Sequence, residues 1–439
     1  MKTTEIAGSI VAPKGFLAGG VFCDIKKLGT GKGSDKGPKR DLALIVSEAP
    51  AAVAGLFTTN QVCAAPVKVC LANIGKAGAR AIVANSGNAN ACTGKQGLRD
   101  AKAMTEIAGR ALNIAPDNIF AASTGRIGLA LPMDNVRRGI LEAAKVLGNS
   151  ADHAGHAAEA IMTSDTRPKQ IAVECILGGK TVRIGGICKG AGMIQPGMSP
   201  KGKRPPVQAL HATMLCFITT DAAVDPKALQ AALNEAVAAS FNCITVDGDM
   251  STNDTVLVLA NGLAGNEKLK SRDPNFKIFQ AGLNHVCLEL AKMMVRDGEG
   301  VHRIVTVRLS GAKTVADADA AARAVANSSL VKTSWHGGDP NWGRIMGAIG
   351  YSSATVVEEK VDIGYSAPGS RDILWSLKHG QPASATFREL CAAVAPKEFD
   401  VHIRLNLGKS GAVVYASDLT EDYVSFNKGD VSDPAALGG

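Results

Sequence analysis

Seven short segments hold most of the residues able to do chemistry in this sequence. They are residues 85–93 (NSGNANACT), 123–128 (STGRIG), 189–198 (KGAGMIQPGM), 212–215 (ATML), 245–255 (TVDGDMSTNDT), 296–300 (RDGEG) and 339–345 (DPNWGRI). Most are rich in Gly, Asn, Ser and Thr. Such loops can turn backbone N–H groups toward an anion or a developing oxyanion. Taken singly, each is what an ordinary Gly-rich turn contains. Their number and order carry the information.

Other chemistries find less support. Residues 29–39 (GTGKGSDKGPK) imitate a phosphate-binding loop, but Gly33 follows Lys32 where a magnesium-binding Ser or Thr is needed. Asp247, Asp249 and Asp254 lack the sixth-position Gly and terminal Glu of a calcium loop and read as structural. The eight His are dispersed and no metal is implied. Ten Cys form no C-x-x-C pair and sit among apolar neighbours, the pattern of reduced thiols in a cytoplasmic protein. A net charge of +8 concentrates in residues 26–40 and 201–204, which read as solvated loops. With 4% aromatics and no zinc-finger spacing, a nucleic-acid surface is not expected. No stretch approaches the roughly 18 apolar residues of a membrane span, and the N-terminus lacks the apolar run of a signal peptide.

The elements that must position these segments follow from apolar spacing. Strands are expected at 42–46, 81–84, 214–218, 244–246 and 255–260, with 85–90 a loop. Residues 171–177 and 182–184 alternate about Gly178-Gly179, a hairpin signal. Helices are expected at 100–112, 133–147 after Pro132, from Asp225-Pro226 onward, and at 276–295. Residues 399–405 and 412–416 form two further strands about a turn at 408–411. The mixture predicts an α/β or α+β layered fold without repeats. Residues 199–211 (SPKGKRPPVQALH) read as an exposed loop.

In this order the segments resemble the ornithine acetyltransferase family, the bifunctional glutamate N-acetyltransferases of arginine biosynthesis. The resemblance runs from about Gly15-Phe16 to Asn427. It implies a layered α/β/β/α-type sandwich of the self-processing Thr-nucleophile kind, with a smaller C-terminal α/β part. It implies that the chain cuts itself between Ala212 and Thr213, giving an α chain of residues 1–212 and a β chain of 213–439. The two pair into an α2β2 assembly. Thr213 becomes the nucleophile, and Thr124 and Gly125 form the oxyanion hole. Thr163, Lys189, Thr213, Glu299, Asn427 and Ser432 contact substrate, with Lys189 suited to a carboxylate and Glu299 to an amino group. The substrates are N2-acetylornithine and glutamate. No cofactor is needed, although some members accept acetyl-CoA as donor.

The chemistry is coherent. A Thr hydroxyl is a weak nucleophile without a base. An N-terminal Thr carries its own α-amine, with a pKa near 8, which before cutting is an amide and cannot serve. Departures from the family also stand in the sequence. Thr213 follows Lys189 by 24 residues, with residues 199–211 inserted between them. Looping them out costs little, about 0.6 kcal/mol per doubling of length. Arg126 replaces a smaller residue beside the oxyanion pair, and the C-terminus lacks the family's Tyr. Two rivals share the sequence features: an amidase or aminopeptidase on the same fold, and a binding protein that never cuts.

Overall fold

The computed structural model describes residues 3–26, 39–76, 78–203 and 214–428. Ala212, Thr213 and Ser432, with most of the 29–39 and 199–211 stretches, lie outside the described residues. The first strands are β1 (Thr4–Ile6), β2 (Phe16–Val21), β3 (Leu42–Thr58), β4 (Ala79–Asn88), β5 (Ile119–Arg126), β6 (Lys169–Leu177), β7 (Lys180–Lys189), β8 (Met198–Ser199), β9 (Leu215–Thr220), β10 (Ile244–Thr245) and β11 (Thr255–Ala260). All but β10 join one network in the order β1-β6-β7-β9-β11-β3-β4-β5, with β2 and β8 also on β3. The helices of this part are α1 (Ala65–Asn73), α2 (Gly94–Leu112), α3 (Met133–Lys145), α4 (Ala151–Ala160), α5 (Pro226–Ala238) and α6 (Phe276–Arg296).

The network folds into two layers because β3 belongs to both. Its residues Leu42–Val46 pair with β2 and β4, and Ala52–Phe57 pair with β11. The register shifts between Val46 and Ala51, a stretch that holds Pro50, which has no N–H to give a ladder. Alternation along each strand then fills three cores. Leu215 and Phe217 of β9 meet Ile82, Ala84, Phe120 and Ala122 of β4 and β5 in the middle. Cys216 and Ile218 face α5 and α6 on one outside. Ala81, Val83, Ile119 and Ala121 face α2 and α3 on the other. The result is the α/β/β/α sandwich expected. Many of these core positions are Ala, so the layers pack closely around a few rings such as Phe120 and Phe217.

A second part follows. Strands β12 (Ile304–Ala312), β13 (Asp362–Ser366), β14 (Leu374–Lys378), β15 (Gln381–Pro382), β16 (Glu398–Arg404) and β17 (Ser410–Ser417) join β10 in the order β10-β17-β12-β16-β13-β14-β15. Helices α7 (Val315–Asn327), α8 (Ser329–His336), α9 (Trp342–Gly350) and α10 (Phe387–Val394) bury one core around Trp335, Tyr365 and Phe399. A last helix, α11 (Glu421–Phe426), follows β17.

Several elements differ from the sequence reading. Residues 85–88 and 123–126 are not loops but the ends of β4 and β5. Their parallel ladder continues from Ala81↔Ile119 to Gly87↔Gly125, and the Ser123 hydroxyl donates to Asn85 Oδ1 at 2.6 Å. Polar residues that usually signal a turn satisfy one another here within the sheet. Ser199 belongs to β8, paired with Phe57, so the inserted stretch starts on the sheet rather than in a loop. The strands β16 and β17 do not pair with each other; β12 lies between them. The hairpin about Gly178-Gly179 and the Asp225 cap on α5 are as expected. All ten cysteines are free, and Cys92 is exposed rather than buried. No helix among the described residues is long and apolar enough to cross a membrane.

Candidate active site

The two sheets bring the ends of β5 and β7 face to face. Lys189, the last residue of β7, is 2% exposed, and its Nζ donates to Thr124 Oγ at 3.2 Å. An ammonium only donates, so Thr124 Oγ must accept and its own proton is free for another acceptor. Next to it Gly125 has φ +129°, in the region that favours glycine. A Cβ there would lie 2.4 Å from the Gly87 carbonyl carbon and 2.6 Å from Asn88 N. The strand pair therefore forces glycine at this position. Asn253 ties the same corner together, donating to the Ala89 and Ser123 carbonyls at 2.6 and 2.8 Å.

Lys189 also sits opposite Leu215 in the β7–β9 ladder, so the described chain resumes beside it at Met214. The Met214 N–H donates to Asp254 Oδ1, while Asp254 Oδ2 is buried without a partner among the described residues. Burial pushes the Asp254 carboxyl well above the usual carboxylate range, against the pull of Met214 N–H and Lys189. Burial also lowers Lys189, opposed by Asp165, reinforced by Lys169, and opposed again by Glu299 and Asp254.

The remaining residues converge from three directions. Glu299 follows α6, and its N–H donates to Ala191 O at 2.9 Å. A Cβ on Gly192 would fall 2.5 Å from the Glu299 carboxylate, so this glycine makes room for it. Asn427, just after α11, donates to Glu299 Oε2 at 2.9 Å. The Thr163 N–H donates to Asp165 Oδ2 at 3.0 Å. Six predicted site residues are described, and they form two linked groups: Lys189–Thr124–Gly125 and Glu299–Asn427, with Thr163 joined through Asp165. Thr213, Ala212 and Ser432 lie outside the described residues.

Sequence reasoning missed the residues underneath. Lys169 is 1% exposed; its Nζ donates to Asp165 Oδ1 at 2.5 Å and to Asp297 Oδ2. Asp165 Oδ1 also accepts Gly190 N–H at 2.7 Å. Asp297 accepts both the N–H of Thr166, at 3.1 Å, and its hydroxyl. Burial opposes the ionised form of Asp165, but Lys169 and then Lys189 outweigh it and hold the carboxyl below its usual range. Asp247 accepts Met193 N–H at 2.6 Å and Ile194 N–H at 2.8 Å, and Tyr423 OH reaches it at 3.4 Å. Asp297 stood inside the quoted 296–300 segment, and Asp165 two residues after Thr163. Nothing in the sequence singled out Lys169, which looks like a solvated lysine opening an alternating strand.

A profile of the ArgJ family matches residues 20–429. The arginine biosynthesis bifunctional protein ArgJ of Symbiobacterium thermophilum is 47% identical over 424 residues, covering 96% of this chain and 98% of that protein. The glutamate N-acetyltransferase of Methanocaldococcus jannaschii is 44% identical over 431 residues, covering 96% and 98%. A crystal structure of ornithine acetyltransferase complexed with ornithine from Mycobacterium tuberculosis is 38% identical; all of that chain aligns with 45% of this one, at a TM-score of 0.41. With its motifs, its sandwich and these relatives in agreement, the chain belongs to the ArgJ family.

Proposed function

We propose that this chain is a self-processing acetyltransferase of arginine biosynthesis that moves acetyl from N2-acetylornithine to glutamate. The observation that carries the reading is the buried Lys189–Thr124 contact beside Gly125, with Lys189 paired to Leu215, two residues after Thr213 in the sequence. It supports acyl transfer over a binding role, because a Thr124 hydroxyl whose proton is left free by the Lys189 donation is suited to developing negative charge. The donation from Lys189 polarises the Thr124 hydroxyl and strengthens its own donation.

In the uncut chain the Thr213 hydroxyl attacks the Ala212 carbonyl, the peptide nitrogen leaves as an amine, and water opens the resulting ester. Residues 1–212 and 213–439 remain as partner chains, paired as α2β2 in the cytoplasm. The freed α-amine then takes the Thr213 hydroxyl proton as Oγ attacks the acetyl carbonyl. Thr124 and Gly125 hold the oxyanion, and ornithine leaves with its nitrogen protonated. Glutamate's amine attacks the acetyl-Thr ester and restores the hydroxyl. Glu299, oriented by Asn427, suits the substrate ammonium, and Lys189, Thr163 and Ser432 line the rest of the substrate site. Acetyl-CoA is the alternative donor for the same acyl-enzyme.

Incubating the purified protein with N2-acetylornithine, with and without glutamate, tests the reaction. Glutamate-dependent release of ornithine is expected; release at the same rate without glutamate identifies an amidase instead. Denaturing electrophoresis tests the cut. Two bands near half of 45.2 kDa are expected, and a single full-length band in active material overturns the self-processing step.

A further inference from the structure

We infer that Lys169 is a positioning residue for substrate binding: its one buried ammonium fixes the relative placement of the three segments that carry Thr163, Lys189 and Glu299. The inference rests on the acetyl-transfer reading and deepens it. Lys169 itself is enclosed and touches no space open to a substrate. It acts through the two carboxylates it joins.

Asp165 uses its other acceptor sites on Thr163 N–H, two residues before it, and on Gly190 N–H, directly after Lys189. Asp297 lies at the C-terminal end of α6, two residues before Glu299, and is held there by its own N–H bonding back to the Met293 carbonyl at 3.1 Å. Glu299 closes the ring by donating its N–H to Ala191 O, in the same loop as Gly190. The ring runs from Thr163 through Asp165, Lys169, Asp297 and Glu299 back to Lys189. Every link but Lys169 is a short loop or a backbone contact. Arg167 also reaches Asp297, its Nε 3.9 Å from Oδ1, but from an exposed position; the buried charge that ties the β6 side to the α6 side is Lys169. Its ammonium lies between two buried carboxylates, which repel one another once it is gone. The loops carrying Lys189 and Glu299 then lose their common reference, and a binding constellation must be held within about 0.5 Å of its productive geometry.

The test is steady-state kinetics of ornithine release on Lys169→Met/Asp297→Asn, which removes one charge of each sign and leaves Asp165 held by the Thr163 and Gly190 N–H groups. KM does not depend on what fraction of the protein has cut itself, so it separates positioning from processing. The KM for N2-acetylornithine is expected to rise about 20-fold or more, with kcat of the cut fraction within about fivefold of wild type. Lys169→Arg, which keeps a cation able to reach both carboxylates, should bring KM back to within about fivefold. Thr166→Val, at an exposed position that removes one hydrogen bond to Asp297, should raise KM about threefold and decides the matter if the double variant fails to fold. Unchanged KM with a lowered melting temperature would mean that Lys169 only stabilises the strand, and the inference would fall. A wild-type protein that releases no ornithine sinks the acetyl-transfer reading and this inference together; active wild type with indifferent variants sinks the inference alone.

Discussion

The two parts of the molecule bury different things. The second part hides an almost wholly apolar core, built on Val305, Val307, Trp335, Tyr365, Phe399 and Val401. Its ion pairs, such as Arg308–Asp400 and Arg323–Asp319, keep one partner at least partly in solvent. The sandwich hides apolar cores too, but at one end it also buries Lys169, Lys189, Asp165 and Asp254. Burying charge is costly unless it is paired, and an apolar replacement is often as stable. A buried ammonium held between two buried carboxylates, Lys169 with Asp165 and Asp297, therefore marks where the molecule needs chemistry rather than stability. The second part lends that end side chains of its own, among them Tyr423, Asn427 and Asn327, which donates to Gln195.

The contrast can be broken by experiment. Thr213→Ala should leave the chain uncut and lower acetyl transfer on the order of 10⁴-fold or more; electrophoresis and ornithine release measure both. Trp335→Ala, in the apolar core of the second part, should cost about 3–5 kcal/mol of stability by denaturant unfolding, with the KM for N2-acetylornithine unchanged. A large KM change there would erase the distinction between the parts. Gly125→Ala should lower kcat roughly 10²–10³-fold through the displaced oxyanion strand, with little change in the apolar cores.

Lys332 sharpens the comparison, because it is the second part's own buried cation. It is 3% exposed and donates to Ser417 O, and burial lowers its pKa to about 8 despite the pull of Asp247 and Asp418. The unfolded chain keeps that proton to about 10.5. Between those values the unfolded state binds more protons, so wild-type stability should rise with pH from about 8 toward 10.5, by roughly 3 kcal/mol at most. Lys332→Met should flatten that rise, seen as the difference between the melting temperatures of wild type and variant at pH 7 and pH 9.5. A parallel slope in both would show that the ammonium is not buried. The smallest effect is expected for Asn427→Ala, which removes one exposed hydrogen bond to Glu299 and should raise KM roughly threefold to tenfold.

Much of this was legible in the sequence where apolar periodicity or turn chemistry was strong. The β6–β7 hairpin follows from alternation about Gly178-Gly179, and α5 from Asp225-Pro226. What hid were elements whose polar residues satisfy one another. Asn85 and Ser123 look like loop residues until the β4–β5 ladder pairs them. Helix α2 starts at Gly94, six residues before its apolar stripe becomes legible. Of the site, the motif residues could be named, but the bonds joining them could not. Lys169 takes its meaning from Asp297, which lies far along the chain, and no local spacing encodes that meeting.

The order β7-β9-β11-β3 has a consequence for a chain severed before residue 213. Strands β9 and β11 would come from the second piece, while β7 and β3 on either side would come from the first. The later fragment is thus a wedge driven into the earlier one, with ladders on both flanks and no seam along which to part. Neither half could fold to its final shape and then dock, so a polypeptide cut there would have to be completed before it was divided. Separately made halves mixed in solution would be expected to aggregate rather than assemble.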